Sequence, residues 1–556
     1  MKIFKKTAAL LTALIIMLAL TPAPAVFAKE ESLGKEDFVH AEGRNIIGTD
    51  GKKLEIRGMA LGNGVWENSP TPAYKHHTKK SYKELSEMGF NCVRFYLNYG
   101  IFESDDNPYH YKKKGFEWLD RNIEWAKKYN MGIILNMHFP QGGYQSQGNG
   151  MALWEEKENG DRLAALWKEI ARRYANEPTV WGYGLINEPG VPLKDSKEET
   201  LEQYTGMYKR IIKAIRSVSP YQAIFAERLC FAKSADGSSD WSYVSNPEDA
   251  FCIFDDDNVI YEFHTYEPFC FTHQNAAWAG TAGAVYSYPS DEMVSADYGK
   301  WTGAAASKSI DSSNGWEYFE SEKIALTDNY NTGYICLKVL GNSGNSDIYF
   351  DNITLTEISP KGKNSVKFYL DCDNNTASGF GFWSSDGTGR ISDAPDKGIE
   401  GGCVKISGSK ENVSATAQRF TLKSGFQYYI SGYVKNNTGC NAYVTIDLVK
   451  SDNIRTLDKQ YLDDAVKPYW EFSQKHNVPV YAGEFGVISE GFKENRGGGE
   501  WVSDMIDIFR KYDIGFNYHA YHEGSFGLYR NDSDKLPDDL NKELAGVFRK
   551  KLKEKK

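Results

Sequence analysis

The chain has little of what would staple it, anchor it or charge it in one direction. Its eight cysteines include no Cys-x-x-Cys pair and follow no regular spacing, so no disulfide framework is read from them. A chain of 556 residues can bury its core without staples. Most of the cysteines are expected as buried thiols; Cys372 with Cys403, or Cys230 with Cys252 or Cys270, are the pairings to check. A basic stripe is also missing. Acidic and basic residues are interspersed around a formal net charge of −10, which argues against a nucleic-acid partner. Beyond residue 28 no apolar run is long enough to cross a bilayer. The first 28 residues do carry a pattern: Lys2, Lys5 and Lys6, an apolar run from Ala8 to Leu20, then Val26-Phe27-Ala28. A basic start, a short apolar core and a small-residue end predict a secretory signal peptide cleaved near Ala28. The remainder is then expected to be soluble, extracellular, free of the membrane and a monomer. Aromatic residues are plentiful, with 13 Trp and 35 Tyr. Indole and phenol rings can cover the flat C–H faces of sugars, but a large many-stranded core would contain them as well.

Short apolar runs alternate with longer amphipathic stretches from residue 50 onward. Strands are predicted at Leu54–Met59, Cys92–Leu97, Gly132–Met137, Val180–Ile186, Ala223–Ala226, Val259–Phe263, Val478–Tyr481 and Ile514–Tyr518. Helical periodicity fills most of the intervals, as in Phe116–Tyr129, Arg162–Tyr174, Leu201–Val218 and Tyr461–His476. Continuous apolar strands separated by helices imply a parallel sheet covered on both faces, and eight of them imply an α/β fold of the (β/α)8 TIM-barrel type. A doubly wound sheet is disfavoured because no glycine-rich dinucleotide loop follows the first strand. After the sixth strand the rhythm breaks into short alternating segments rich in Gly, Ser, Asn and Thr, among them Tyr334–Leu340, Asp347–Glu357, Gln427–Lys435 and Ala442–Val449. That pattern predicts an antiparallel, jelly-roll-like β-sandwich inserted between strand six and the following helix. The expected division is 1–28 signal peptide, 29–290 first part of the barrel, 291–455 inserted sandwich and 456–556 final part of the barrel.

Two predicted strands end in carboxylates. Strand four runs into Asn187-Glu188-Pro189 and strand seven into Gly483-Glu484-Phe485-Gly486. An acid directly after a buried apolar run must emerge at the strand end or find partners, because an unpaired buried charge is costly. Two such acids on separate strands of one barrel project into one mouth. Cleavage of an acetal needs such a pair: one carboxyl protonates the leaving oxygen while the other attacks the anomeric carbon from the opposite side. Glu188 in the acid role needs a raised pKa, and Glu484 as attacking group needs donors, for which Arg94 and Tyr266 are candidates. His138 and His264, at the ends of strands three and six, could hold a hydroxyl, orient a carboxylate or be structural.

Arg94 in Val93-Arg94-Phe95, His138, Asn187-Glu188-Pro189, His264, Tyr266 and Glu484 occur in order, each on the matching strand. In this the barrel portions, about 40–285 and 455–555, resemble glycoside hydrolase family 5, the cellulase-type retaining enzymes. The resemblance implies that Asn187 bonds a sugar 2-hydroxyl, Glu188 is the acid/base and Glu484 the nucleophile of a double displacement with no catalytic cofactor. One position departs from the family. Where it places a Trp beneath the sugar at the cleavage point, this chain has His519, in Asn517-Tyr518-His519-Ala520-Tyr521. Trp66, from the first loop, could supply missing surface, and the loop at 142–150 with Trp154 after it is expected to wall the cleft.

The insert resembles the carbohydrate-binding modules attached to such enzymes. Its part is either to bind glycan, with Trp316 or Trp383 as candidates, or only to shape the cleft. Asp351 with Asp371 or Asp373 is a candidate structural Ca²⁺ site, since hard cations select clustered oxygens. Together these readings imply a secreted retaining hydrolase of β-1,4-glucan, cellulose or mixed-linkage glucan. Alternatives are a β-mannanase, another β-glycanase or a transglycosylase on the same scaffold, and a non-catalytic polysaccharide-binding protein.

Overall fold

In a strand buried on both faces, alternate residues serve two different environments. Cys92–Asn98 shows the division: Val93, Phe95 and Leu97 join the large apolar cluster under the helices, whereas Cys92 joins a second cluster with Ile134, Phe225, Ile260 and Tyr481 from neighbouring strands. That second cluster is the barrel interior. The computed structural model describes residues 33–554 except 63, 75, 147–149, 234–240, 244–245, 283–284, 296–298, 312, 371–375 and 532–538. Eight parallel strands close into a barrel: β1 (Arg57–Leu61), β2 (Cys92–Asn98), β3 (Gly132–Phe139), β4 (Val180–Gly184), β5 (Ala223–Glu227), β6 (Val259–His264), β7 (Val480–Phe485) and β8 (Gly515–Tyr518). Each pairs with the next in chain order, and β8 pairs with β1 through Phe516↔Arg57 and Tyr518↔Met59.

Four of the long helices between them start where a side chain satisfies an orphaned backbone N–H. α1 (Lys79–Met88) is capped by Thr78, α4 (Lys197–Arg216) by Ser196, α6 (Lys459–His476) by Asp458 and α8 (Lys542–Lys551) by Asn541. α2 (Lys113–Lys128), α3 (Lys157–Tyr174) and α7 (Gly498–Lys511) complete the long ones. Among the described residues between β5 and β6 the only helix is a single turn, α5 (Pro247–Ala250).

The sandwich leaves the barrel after β6 and returns at Asp458. Strands Ser290–Ser295 and Ile454–Leu457 pair antiparallel, which brings the two ends of the insert together. One of its sheets runs Lys300–Ala306, Asn441–Lys450, Thr332–Leu340, Val413–Thr421, Gly381–Ser384. The other runs Glu317–Glu320, Gln427–Lys435, Asp347–Ile358, Cys403–Ser407, Arg390–Ala394. Between them lies a separate apolar core that includes Ile335, Leu337, Ile348, Phe350, Val404, Ile430 and Ile446.

Seven cysteines, Cys230, Cys252, Cys270 and Cys403 among them, are free thiols, and Cys372 lies outside the described residues. Asp351 is buried, and its carboxylate accepts the backbone N–H of Asn352 at 2.7 Å and of Ile399 at 2.7 Å. Among the described residues no cluster of three potential metal ligands includes it. Asp371 and Asp373 lie outside the described residues.

Candidate active site

The period of two that fills the barrel floor with apolar groups carries charged and aromatic ones above it. On β2 the inward series is Cys92, Arg94, Tyr96; on β3 it is Ile134, Asn136, His138; on β6 it is Ile260, Glu262, His264. Arg94 is fully buried, so its guanidinium must be neutralised and hydrogen-bonded within the barrel. Its Nη1 donates to Glu484 Oε1 at 2.7 Å, and its Nη2 lies 2.7 Å from Glu262 Oε1 and donates to Asn187 Oδ1 at 3.0 Å. Gly483 makes this close assembly feasible, since a Cβ there would overlap the Glu262 carboxylate.

Glu484 is surrounded by donors. Oε1 accepts Tyr96 OH at 2.7 Å as well as Arg94, and Oε2 accepts Tyr266 OH at 2.8 Å. Burial alone would push its carboxyl up, but the charges of His264, His519 and Arg94 outweigh that and hold it well below the usual carboxylate range. Both tyrosines are pushed well above their usual value, first by burial and then by the Glu484 charge, so they remain donors.

Glu188 stands across the pocket in a different setting. Its side chain is 21% exposed against 5% for Glu484. Its backbone is left-handed, φ +41°, a conformation that a non-glycine residue keeps only when its surroundings hold it. One restraint is Glu227 at the end of β5, whose Oε2 accepts the Glu188 backbone N–H at 2.8 Å. His264 Nδ1 lies 3.0 Å from Glu188 Oε1, 3.3 Å from Glu227 Oε1 and 3.6 Å from Glu484 Oε2. Burial pushes the imidazole down, but these carboxylates, Glu227 first, raise it well above its usual range. The fully buried Glu227 is pushed up to about 8 by desolvation, against the pull of His264. One carboxylate oxygen of Glu188 and one of Glu484 lie within 4.8 Å of each other, with His264 between them.

These groups open into a cavity of about 1010 Å³ lined by Trp66, His138, Tyr144, Glu188, His264, Tyr266, Glu484 and His519, among others. A family model described as Cellulase (glycosyl hydrolase family 5) matches residues 47–338, just over half of the chain. The chain belongs to glycosyl hydrolase family 5. The match runs through β1–β6 into the sandwich and stops before β7. Endoglucanase C of Acetivibrio thermocellus is 33% identical over 214 residues, 37% of this chain and 55% of that protein. A Beta-xylosidase of Phanerodontia chrysosporium is 32% identical over 269 residues, 42% of this chain and 53% of that one. The chain spans about half the length of these curated relatives. A crystal structure of Thermotoga maritima Cel5A with mannotriose superposes with a TM-score of 0.47 at 17% identity, covering 89% of this chain and 97% of that one.

The remaining residues singled out in this family 5 chain fall into three groups. His138, His519 and Trp66 line the cavity. His138 stacks on Tyr96, centroids 4.0 Å apart, and burial keeps its pKa well below the usual imidazole value. His519 Nδ1 lies 3.0 Å from Tyr96 OH, so the ring in the Trp position is tied into the Glu484 network. Arg94 and Asn187 are buried beneath the cavity and meet each other. Trp154 does not line the cavity: it is buried in the main apolar cluster and donates Nε1–H to Gln145 Oε1 at 2.7 Å, so it braces Gln145 from below.

Sequence reasoning missed Tyr96, Glu227 and Glu262. The signal was present in the alternation, since Tyr96 and Glu262 lie two residues from Arg94 and His264 on their strands. Two triplets could also hold a metal by spacing alone, Glu188–His264–Glu484 and Glu227–Glu262–His264. Their atoms already pair with one another and with Arg94, Tyr96 and Tyr266, so an ion would have to displace these partners.

Proposed function

We propose that the protein is a retaining glycoside hydrolase of β-linked polysaccharide, with Glu484 as nucleophile and Glu188 as acid/base. The observation that carries this reading is the approach of Glu188 and Glu484 within 4.8 Å across one cavity, the short separation that direct attack requires. Glu484 Oε1 is engaged by Arg94 and Tyr96, whereas Oε2 has the single Tyr266 hydroxyl bond, so Oε2 is the attacking atom. In the first step the Oε2–anomeric carbon bond forms, the glycosidic C–O bond breaks, and the Glu188 proton passes to the leaving oxygen. In the second step water attacks the same carbon, the bond to Glu484 breaks, and Glu188 takes the water proton. Neither step uses a cofactor. His264, within reach of both glutamates, is placed to adjust the proton balance between them.

The substrate favoured is a β-1,4-glucan, in keeping with the endoglucanases among the similar proteins. A β-mannan reading is kept open by His519 standing where the family has Trp. Secretion is part of the proposal and rests on the basic and apolar pattern of residues 1–28. Assays on carboxymethyl cellulose, mixed-linkage glucan and mannan, with the anomer of the first product read by NMR, test it. Cleavage with retained configuration is expected, and failure to cleave any β-glycan, or inversion, refutes it.

A further inference from the structure

Two of the large apolar side chains exposed among the described residues open into the cavity. Phe269 is 46% exposed and Trp278 is 52% exposed, and both line it. They belong to the segment between β6 and the sandwich, not to the barrel mouth that holds the glutamates. Phe269 stacks on His273, centroids 3.9 Å apart, and His273 meets Trp278 edge-on at 5.6 Å. Phe526, from the loop after β8, closes the group at 5.0 Å from His273 and 6.3 Å from Trp278. Burial pushes His273 down to about 3, so this wall is uncharged at neutral pH. Glu267, Glu523 and Ser525 also line the cavity, so polar groups are at hand for hydroxyls.

The sandwich supports this wall from behind. The turn Ala277–Ala279 packs on the turn Ala377–Gly379 of the insert. The fit there is tight: a Cβ on Gly379 would lie 2.6 Å from Ala282 Cβ. Nearby, Tyr286 OH donates to Arg419 O of the sandwich at 2.7 Å, while Tyr286 N donates to Gln274 Oε1 at 3.0 Å.

We propose that Trp278 and Phe269 form a platform for a second pyranose ring of the substrate chain, away from the bond that is cut, and that the inserted sandwich sets its position. An uncharged aromatic surface continuous with the cavity suits the C–H face of a sugar, and a cavity this large takes more than one ring. The inference rests on the glycosidase reading and extends it to a subsite built by the insert. In this chain the sandwich therefore acts on specificity through the Gly379–Ala282 contact.

The test compares kcat/KM for a long β-1,4-linked gluco-oligosaccharide with that for a short aryl glycoside. Trp278→Ala should lower the long-to-short ratio about tenfold, the effect of losing a stacking contact of roughly 1.4 kcal/mol. Trp278→Phe should restore most of it. Gly379→Leu, at a position that does not line the cavity, should shift the ratio in the same direction by pushing the wall out of place. A ratio within twofold of wild type in Trp278→Ala overturns the platform. A lowered ratio in Trp278→Ala with none in Gly379→Leu overturns the role of the sandwich. If the wild-type enzyme cleaves neither substrate, the β-1,4-glucan reading fails instead.

Discussion

Replacing Glu227 by Gln should change how stability depends on pH, by an amount that follows from its environment. Its carboxyl is fully buried, takes the Glu188 backbone N–H at 2.8 Å, and is raised from 4.5 to about 8. His264, Glu262, Glu188, Arg94 and the Cys230 thiol face it. Below the unfolded value both states hold the proton. Between that value and about 8 only the folded state keeps it, so stability falls as pH rises, by about 1.4 kcal/mol per pH unit, or about 5 kcal/mol across the window at most. Raised His264 adds to the same slope, since its contribution is also lost as pH rises through its folded value. Gln carries no proton to lose, so Glu227→Gln should be less stable than wild type at pH 5 and nearer to it, or above it, at pH 8. Urea denaturation of both proteins at half-unit intervals from pH 5 to 8 measures the difference. Parallel curves would mean that Glu227 is ionised in the folded state throughout, and would refute its protonation within the site.

Other substitutions test the remaining parts. Glu484→Ala and Glu188→Ala should each lower kcat by several orders of magnitude without unfolding the protein; near-normal turnover in either refutes its role. Azide should restore cleavage in Glu484→Ala and yield the glycosyl azide of inverted configuration, detected by NMR. Arg94→Met leaves Glu262 and Glu484 buried without their cation, and should destabilise the fold by about 3–5 kcal/mol in denaturant titrations at pH 7. Gly483→Ala forces a methyl group into the Glu262 carboxylate and should reduce activity and stability together, as activity assays and thermal melts would show.

The barrel was legible because burial on both faces leaves continuous apolar runs, and the catalytic pair because Glu188 and Glu484 follow such runs directly. What lay between them was harder to read. Glu262 sits between Tyr261 and Phe263 and looks like an interruption of an apolar strand; only the period of two, from Ile260 to His264, turns it inward toward Arg94. Glu227 is followed by Arg228 and reads as the beginning of a solvated loop, yet β5 carries it one residue beyond the apolar run and buries it. Trp154 reads as a cleft wall because an amide- and glycine-rich loop precedes it, but a four-residue helix turns the ring into the core. In the sandwich, Lys300–Ala306 and Gly381–Ser384 were missed because they are edge strands that bury little, so few apolar side chains mark them.

The most direct measurement is to trap the glycosyl-enzyme. A 2-deoxy-2-fluoro β-glycoside with a good leaving group should react once per molecule, and mass spectrometry of the digest should place the sugar on the peptide containing Glu484. A sugar on another residue, or steady turnover that passes through no adduct, would contradict the assignment of Glu484 as nucleophile.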